Sequence, residues 1–420
     1  MTTVVIEAFG TRGDVAPLTG LGAGLKSRLG AHVVIAAQQT YQAMVTDASL
    51  EFRQLPHDTE SETRSSTFGQ GLVDGARMRP DKNALAEMRD QLSGVGEAMA
   101  AAAHDADLVL FEGPVGSLLS AHVAEALEVD SALVHLQPAT PTGTFAPPAL
   151  GTRSFGGLGN RLVWRLAASG AKVFDPLVDG LRAELGLPTK TRKALRRSMN
   201  SWSTLYGFSE AVLPAPADWP ANTHICGYWW PTEAAFTPEP ELVAFLDAGE
   251  PPVFVGLGST ATAHGESVSA IVVEALRSSG RRGIVQRGWA NLDAGSSDDI
   301  LTIDDVPHSW LFPRVGAAIH HCGAGTTAAT LRAGIPTIPV PGIMDQPFWA
   351  ERLHRLGVAS NPLPRHSLSA DGLTAALSDL TEQHEIRSKE IAARLATEDG
   401  IRAAASVVER LLNSDSNVLR

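Results

Sequence analysis

The stretch His320-His-Cys-Gly-Ala-Gly-Thr-Thr327 gathers residue types that can hold a phosphate. Gly323 and Gly325 let the backbone approach a ligand closely, and a helix expected to begin near Thr326 turns unpaired N–H groups toward it. Thr326 and Thr327 supply hydroxyls that either cap that helix or contact a phosphate. His321 supplies an N–H, or a full positive charge, to the same oxygens. Together these groups would stabilise a departing diphosphate without a metal. A metal site made of His320, His321 and Cys322 is the weaker reading, because consecutive side chains on a strand point to opposite faces.

Further segments carry groups that suit such a site. Asp345-Gln346 sets a carboxylate beside a carboxamide, a pair that accepts and donates hydrogen bonds to neighbouring sugar hydroxyls. Taken alone, Asp345 also reads as a helix cap. Gly256-Leu-Gly-Ser259 closes a strand, and Ser259 is placed to hydrogen-bond the diphosphate from the opposite wall, unless the segment is an ordinary strand-to-helix turn. In Gly10-Thr-Arg-Gly-Asp14, Asp14 is a candidate general base for a hydroxyl proton. Its competing role is to cap the helix expected from Pro17. Arg12 either anchors this loop or contacts the donor phosphate. His135 is a second candidate base, although a histidine so placed is more often satisfied inside a core. Asp105-Ala-Asp107 reads as the solvated start of a strand and not as a metal site.

The elements that must position these groups form two strand–helix series. In the first, strands are expected at Val4–Phe9, His32–Ala37, Leu108–Glu112 and Ala132–Leu136, with a helix from Pro17 to Leu29. Residues 59–83 read as a long polar loop, 137–160 as an irregular segment rich in Pro, Thr, Gly and Phe, and 161–174 as helix. Prolines then recur between 213 and 252, which marks a linker. The second series has strands at Val253–Leu257, Arg282–Arg287, Ile300–Ile303, Ala317–His320 and Thr337–Val340, and ends in a helix over Glu385–Leu412. Strand–helix alternation of this kind gives parallel sheets covered on both faces. Two such sheets leave a cleft at their carboxyl ends, where ligands bind.

Composition narrows the class. With 420 residues, two domains are the default, and 44% hydrophobic against 19% charged residues is a globular balance. The net charge of −12 argues against a nucleic-acid partner. Cys226 and Cys322 have no metal-like spacing and support no disulfide framework, so a reducing cytoplasm is expected. The N-terminal stretch has no basic leader, and no apolar run approaches the roughly 20 residues of a membrane span, so no stable membrane insertion is expected.

With these residues in view, the chain resembles the inverting two-domain UDP-glycosyltransferases, which include bacterial antibiotic glycosyltransferases and sterol-type glucosyltransferases. The most specific part is the segment 320–327 followed by Arg332-Ala-Gly-Ile-Pro336 and Asp345-Gln-Pro-Phe-Trp349. Gly10-Thr-Arg-Gly-Asp14 with Pro17, Pro214-Ala-Pro-Ala-Asp-Trp-Pro220 with Gly227-Tyr-Trp, Pro251–Ser259 and Val306-Pro-His-Ser-Trp-Leu311 extend the likeness over most of the chain.

The resemblance implies an α/β protein of GT-B architecture, two facing Rossmann-like domains with an interdomain cleft. Residues 1–213 would bind the acceptor, 214–251 would form the Pro-rich linker, 252–384 would bind the nucleotide sugar, and 385–420 would cross back to the first domain. By the same likeness His321, Gly323, Gly325 and Thr326 contact the diphosphate, Val306 contacts the base through its backbone, and Asp345 and Gln346 hold the sugar. Similar antibiotic glycosyltransferases also have the Asp that stands here as Asp14, where it is a candidate for the catalytic base.

No cofactor is implied beyond the donor substrate, with UDP-glucose preferred over dTDP-sugars. The acceptor would be an apolar small molecule such as a polyketide, macrolide, flavonoid or sterol, and the enzyme a monomer or weak homodimer. Asp305 stands where plant members stack a Trp on the base, Ala329 where they hold the ribose with a Glu, and Cys322 where bacterial relatives have Gly. The alternatives are a nucleotide-sugar epimerase of the same architecture and an inactive auxiliary protein. The segment Gln137–Asn160, with Phe145 and Phe155, argues for a real acceptor cavity. Intact Asp14, His321 and Asp345-Gln346 argue against lost catalysis.

Overall fold

Apolar residues fill the middle of the central strands without alternating with polar ones, the pattern of sheets buried on both faces. The computed structural model describes residues 1–58, 62, 82–232, 236–258, 265–288 and 290–413. Its first sheet has seven strands, β1 (Thr3–Glu7), β2 (His32–Gln38), β3 (Glu51–Leu55), β4 (Leu108–Glu112), β5 (Asp130–His135), β6 (Thr204–Tyr206) and β7 (Thr223–Ile225), in the order β3-β2-β1-β4-β5-β6-β7. The second has five, β8 (Val253–Gly256), β9 (Gly283–Gln286), β10 (Ile300–Ile303), β11 (Ala317–His320) and β12 (Thr337–Pro339), in the order β10-β9-β8-β11-β12. Neighbouring strands pair in parallel throughout both sheets. This is the α/β architecture of two parallel-sheet units expected from the alternation.

Strand order reverses at β1/β4 in one sheet and at β8/β11 in the other. At such a switch point adjacent connections leave in opposite directions and open a crevice beyond the carboxyl ends. Gly10–Asp14 and Glu112 occupy the first crevice, and Gly258 and His321–Gly323 the second.

Helices cover both faces of each sheet. On the first, α1 (Arg12–Leu29) buries Leu18, Leu21 and Leu25 against Val4, Ile6 and Leu110. The opposite face packs α2 (Val95–Ala102) and α3 (Gly113–Leu127) through Val95, Met99, Leu119 and Val123. An exposed helix, α4 (Gly156–Gly170), follows. On the second sheet, α5 (Gly265–Ser278) sets Val272 and Leu276 on Val255 and Ile319. Near its carboxyl ends lie α6 (Ala324–Ala333) and α7 (Gln346–Arg355). The chain ends in α8 (Glu382–Leu395) and α9 (Gly400–Asn413). In α9, Ala404, Ala405, Val407 and Val408 join the core beneath α1. An aromatic layer joins the two halves. Phe208 meets Trp349 edge-on at 5.6 Å, and Arg352 Nη2 donates to the Val212 carbonyl at 2.6 Å.

Several elements differ from expectation, each for a local reason. The first helix begins at Arg12, not Pro17, because Thr11 and Asp14 form a capping box ahead of the proline. The terminal helix is broken between Leu395 and Gly400, where Glu398 accepts from Ser209 Oγ (2.5 Å) and Asp399 pairs with Arg28 (2.7 Å). Strand β3 is a half-exposed edge strand with charged residues, and β6 and β7 have three residues each, too short to show a period. β7 lies inside the Pro-rich stretch and belongs to the first sheet. The loop expected over 59–83 lies almost wholly outside the described residues, as does Ser259.

Candidate active site

The donor-side turn is built on β11. After His320, Cys322 takes a left-handed φ of 63° and Gly323 becomes the N-cap of α6, so the helix starts at Ala324, earlier than Thr326. Neither threonine caps it. Gly323 has no capping side chain, Thr326 is half-buried in the first turn, and the buried Thr327 Oγ1 has no partner. Unsatisfied N–H groups of the first turn therefore remain available to an anion. Among the described residues nothing lies within 4 Å of where a side chain on Gly325 would begin, which leaves room for a ligand at this turn.

His321 is held tightly beside this turn. A Cβ on Gly258 would lie 2.2 Å from His321 Cε1, and one on Gly323 would lie 2.4 Å from Nε2. Gly258 also has φ 60°, a conformation that disfavours other residues. Burial, with Arg365 and His308 nearby, pushes the His321 pKa down to about 4. This shift favours the neutral ring, and with it the N–H option over the full charge. His320 is fully buried and neutral, and its Nδ1 accepts from Cys322 N at 3.1 Å. Among the described residues no cluster of three His, Cys, Asp or Glu could hold a metal ion.

Asp345 directly precedes α7 yet does not cap it. Its Oδ2 accepts from Trp349 Nε1 at 2.7 Å, and burial raises its pKa to about 6. Gln346 Oε1 accepts from Gly342 N (2.9 Å) and Ile343 N (3.3 Å), which fixes the amide and leaves its NH₂ to donate. Val306 is buried by its side chain in the second core of this half.

From the other sheet, Asp14 Oδ2 accepts from Thr11 N (2.6 Å) and Thr11 Oγ1 (3.0 Å). The capping role is therefore real, and it uses one carboxylate oxygen only. Burial raises the Asp14 pKa and the Thr11 bonds oppose that rise. Arg12 is exposed and forms an ion pair with Asp305, which also accepts from Gln286 Nε2 at 2.9 Å.

Glu112, the last residue of β4, was not anticipated. It is 3% exposed, and its Oε2 is buried without a partner among the described residues. Burial raises its pKa strongly, and the charges of Asp14 and Asp345 add to that rise. Three carboxyls from two sheets thus share one field. A carboxylate ending the apolar run Leu-Val-Leu-Phe at the switch strand was the signal that marked it. The other candidates are structural. His135 is buried beside Tyr206, ring centroids 5.9 Å apart, with its pKa pushed down to about 4. Asp105 pairs with Arg53 at 2.5 Å, and Asp107 accepts from Thr3 N at 2.8 Å.

Two parallel α/β sheets with their switch-point crevices at the carboxyl ends are the architecture of GT-B glycosyltransferases, and the comparisons with known proteins agree with it. Residues 290–413 match the family described as erythromycin biosynthesis protein CIII-like, C-terminal domain. The chain is 34% identical to O-mycaminosyltylonolide 6-deoxyallosyltransferase of Streptomyces fradiae, over 97% of this chain and 96% of that one. It is 31% identical to a sterol 3-beta-glucosyltransferase of Arabidopsis thaliana, over 98% of this chain and 66% of the longer plant protein.

Among solved structures, the glycosyltransferase of kitacinnamycin superposes with a TM-score of 0.70 at 19% identity, covering 98% of this chain and 99% of that one. The Streptomyces sp. SF2575 glycosyltransferase complexed with thymidine diphosphate gives 0.63 at 19%, covering 98% and 100%. The chain belongs to the glycosyltransferase family that contains these natural-product and sterol enzymes.

Proposed function

We propose that the protein transfers a hexose from a nucleoside diphosphate sugar to a hydroxyl of an apolar small molecule, with inversion and without a metal. The observation that carries this reading is the open N-terminus of α6 beside a neutral, wedged His321, set against Asp14 across the cleft. The diphosphate would sit on the first-turn N–H groups, with Gly323, Gly325 and Thr326 around it and the His321 N–H on its oxygens. Ser259 would add a hydroxyl. Asp345, ionised above pH of about 6, would accept from sugar hydroxyls while the Gln346 NH₂ donates. Val306 would meet the base through its backbone, and Arg12 would reach the phosphates when released from Asp305.

Asp14 would take the acceptor proton as the oxygen attacks the anomeric carbon. The glycosidic bond to phosphate breaks as the new C–O bond forms on the opposite face, so an α-linked donor gives a β-linked product. Negative charge gathering on the diphosphate is met by fixed N–H dipoles, so no metal is required. The acceptor would lie toward the first sheet, near the aromatic wall where Phe145 meets Phe348 at 5.2 Å.

UDP-glucose is the first donor to test. A dTDP-6-deoxyhexose is the second, favoured by the 34% identical 6-deoxyallosyltransferase and by thymidine diphosphate in a structural neighbour. Purified protein is incubated with each donor and a panel of phenols, sterols and macrolide aglycones, with and without EDTA. A β-linked glycoside formed equally in both supports the proposal. An α-linked product, EDTA sensitivity, or isomerisation of the donor sugar without transfer would refute it.

A further inference from the structure

Helix α4 stands off the body of the protein, with Asn160 its one buried residue. Asn160 anchors it, donating through Nδ2 to the Gly143 carbonyl (2.9 Å) while Oδ1 accepts from Phe155 N (2.9 Å). Trp164 Nε1 adds a bond to the Phe145 carbonyl at 2.9 Å. On the far side of the helix, Leu158, Leu162 and Leu166 recur at a spacing of four residues and are 84, 54 and 62% exposed. Leu150 and Phe155, also exposed, extend the stripe. Five of the eight large apolar side chains exposed among the described residues therefore fall between 150 and 166. Single surface leucines need no explanation, but a contiguous stripe marks a surface that meets something.

Charge indicates what it meets. The chain carries a net −12, yet no Asp or Glu occurs from 131 to 174, where Arg153, Arg161, Arg165 and Lys172 do. Helical geometry sets Arg161 and Arg165 alongside the leucines. Arg161 pairs with Asp218 at 2.6 Å, while Arg165 and Lys172 are exposed with no ion pair among the described residues. A dimer formed through this face by a twofold axis would bring these cations onto one another. An anionic headgroup layer meets them with opposite charge and accepts the leucines at its acyl boundary.

We propose that α4 docks the protein onto an anionic lipid bilayer, lying in the interface with Leu158, Leu162 and Leu166 inserted and Arg165 and Lys172 on the headgroups. No described helix is long and apolar enough to cross a membrane, so the contact is peripheral. The acidic remainder of the surface is repelled by the same lipids, which turns this face toward them.

The test uses the full chain with vesicles of phosphatidylcholine alone and of phosphatidylcholine with phosphatidylglycerol. Co-sedimentation is expected with the phosphatidylglycerol vesicles only, weakening as salt is raised. Leu162→Gln with Leu166→Gln should lower partitioning at least about tenfold. Arg165→Gln with Lys172→Gln should lower it roughly fivefold per charge removed. All four side chains are exposed, so the variants should melt with the unmodified protein. Equal binding to both vesicle types, binding to neither, or a concentration-dependent dimer abolished by the leucine changes would each overturn the proposal.

Discussion

Arg12, the first residue of α1, is ion-paired with Asp305 in the loop after β10, so the turn after β1 and the loop after β10 are joined directly. Both side chains are more than half exposed, and such a pair contributes at most about 1 kcal/mol to stability. Its consequence, under the proposed function, lies in the cleft, where a bound diphosphate would compete for the same guanidinium. Arg12→Ala should therefore leave unfolding nearly unchanged and raise the donor KM about 10- to 100-fold. Asp305→Ala, which frees Arg12, should not raise it. Initial-rate kinetics with varied donor, beside a denaturation curve, distinguish these outcomes. An unchanged KM in Arg12→Ala would remove this residue from the donor site.

His321 is expected to act as a neutral donor because its pKa lies near 4. His321→Ala should lower kcat by roughly 100- to 1000-fold, the effect of deleting one fixed donor to a developing negative charge. His321→Gln, which keeps an N–H, should recover part of that loss. Gly258→Ala tests the positioning independently. Its methyl would displace the ring from one side, and a shift near 1 Å is enough for about a 100-fold loss. Wild-type kcat in Gly258→Ala would show that the clamp on the ring is unnecessary.

The Gly323–Gly325 turn at the start of α6 is legible in the sequence because its geometry is local. Gly323, Gly325 and His321 lie within a few residues of one another, and the backbone between them decides the geometry. Asp14 was legible as a candidate, but its two roles could be ordered only once Thr11 was seen to use one carboxylate oxygen. Glu112 and Asp305 were not read as site residues, because the charged groups near them, Asp14 and Asp345 for one and Arg12 for the other, are far away in sequence. Arg12 and Asp305 are 293 positions apart, and only the meeting of two sheets brings them together. The choice between an N–H and a full charge on His321 is not legible in the sequence for a related reason, since burial is a property of the assembled cleft. Short strands such as β6 and β7 gave no signal, because three residues carry no period.

Glu7 offers a test of stability separate from the site. It ends β1, is fully buried, and neither carboxyl oxygen has a hydrogen-bond partner among the described residues. Desolvation lifts its pKa well above 4.5, so folding favours the protonated form. A raised carboxyl pKa gives stability that is complete below the unfolded value and is lost as pH rises through the folded one. Glu7→Leu should accordingly stabilise the protein by about 1–4 kcal/mol near neutral pH, with the gain shrinking as pH falls toward the unfolded value. Urea denaturation of both proteins across that range measures it. A variant less stable than the parent at every pH would mean that the carboxyl has a partner in solution.

Glu112 and Asp14 make the sharpest prediction about pH. Asp14 keeps two bonds from Thr11 that favour its ionised form, while Glu112 has none and feels the charges of both Asp14 and Asp345. Asp14 therefore ionises first, and Glu112 stays protonated to higher pH. Activity should rise as Asp14 ionises. It should fall again as Glu112 ionises, because a second negative charge then opposes the diphosphate building charge nearby. Glu112→Gln imitates the protonated form, so near neutral pH its kcat/KM should stay within about threefold of the parent, as expected for a change that leaves the base untouched. Its alkaline decline should disappear, while the acid limb remains. Asp14→Asn, in contrast, should lose about 100- to 10,000-fold at every pH. A pH profile of kcat/KM for the three proteins decides the matter. If Glu112→Gln kept the parent's alkaline limb, the two carboxyls would not be coupled in the reaction.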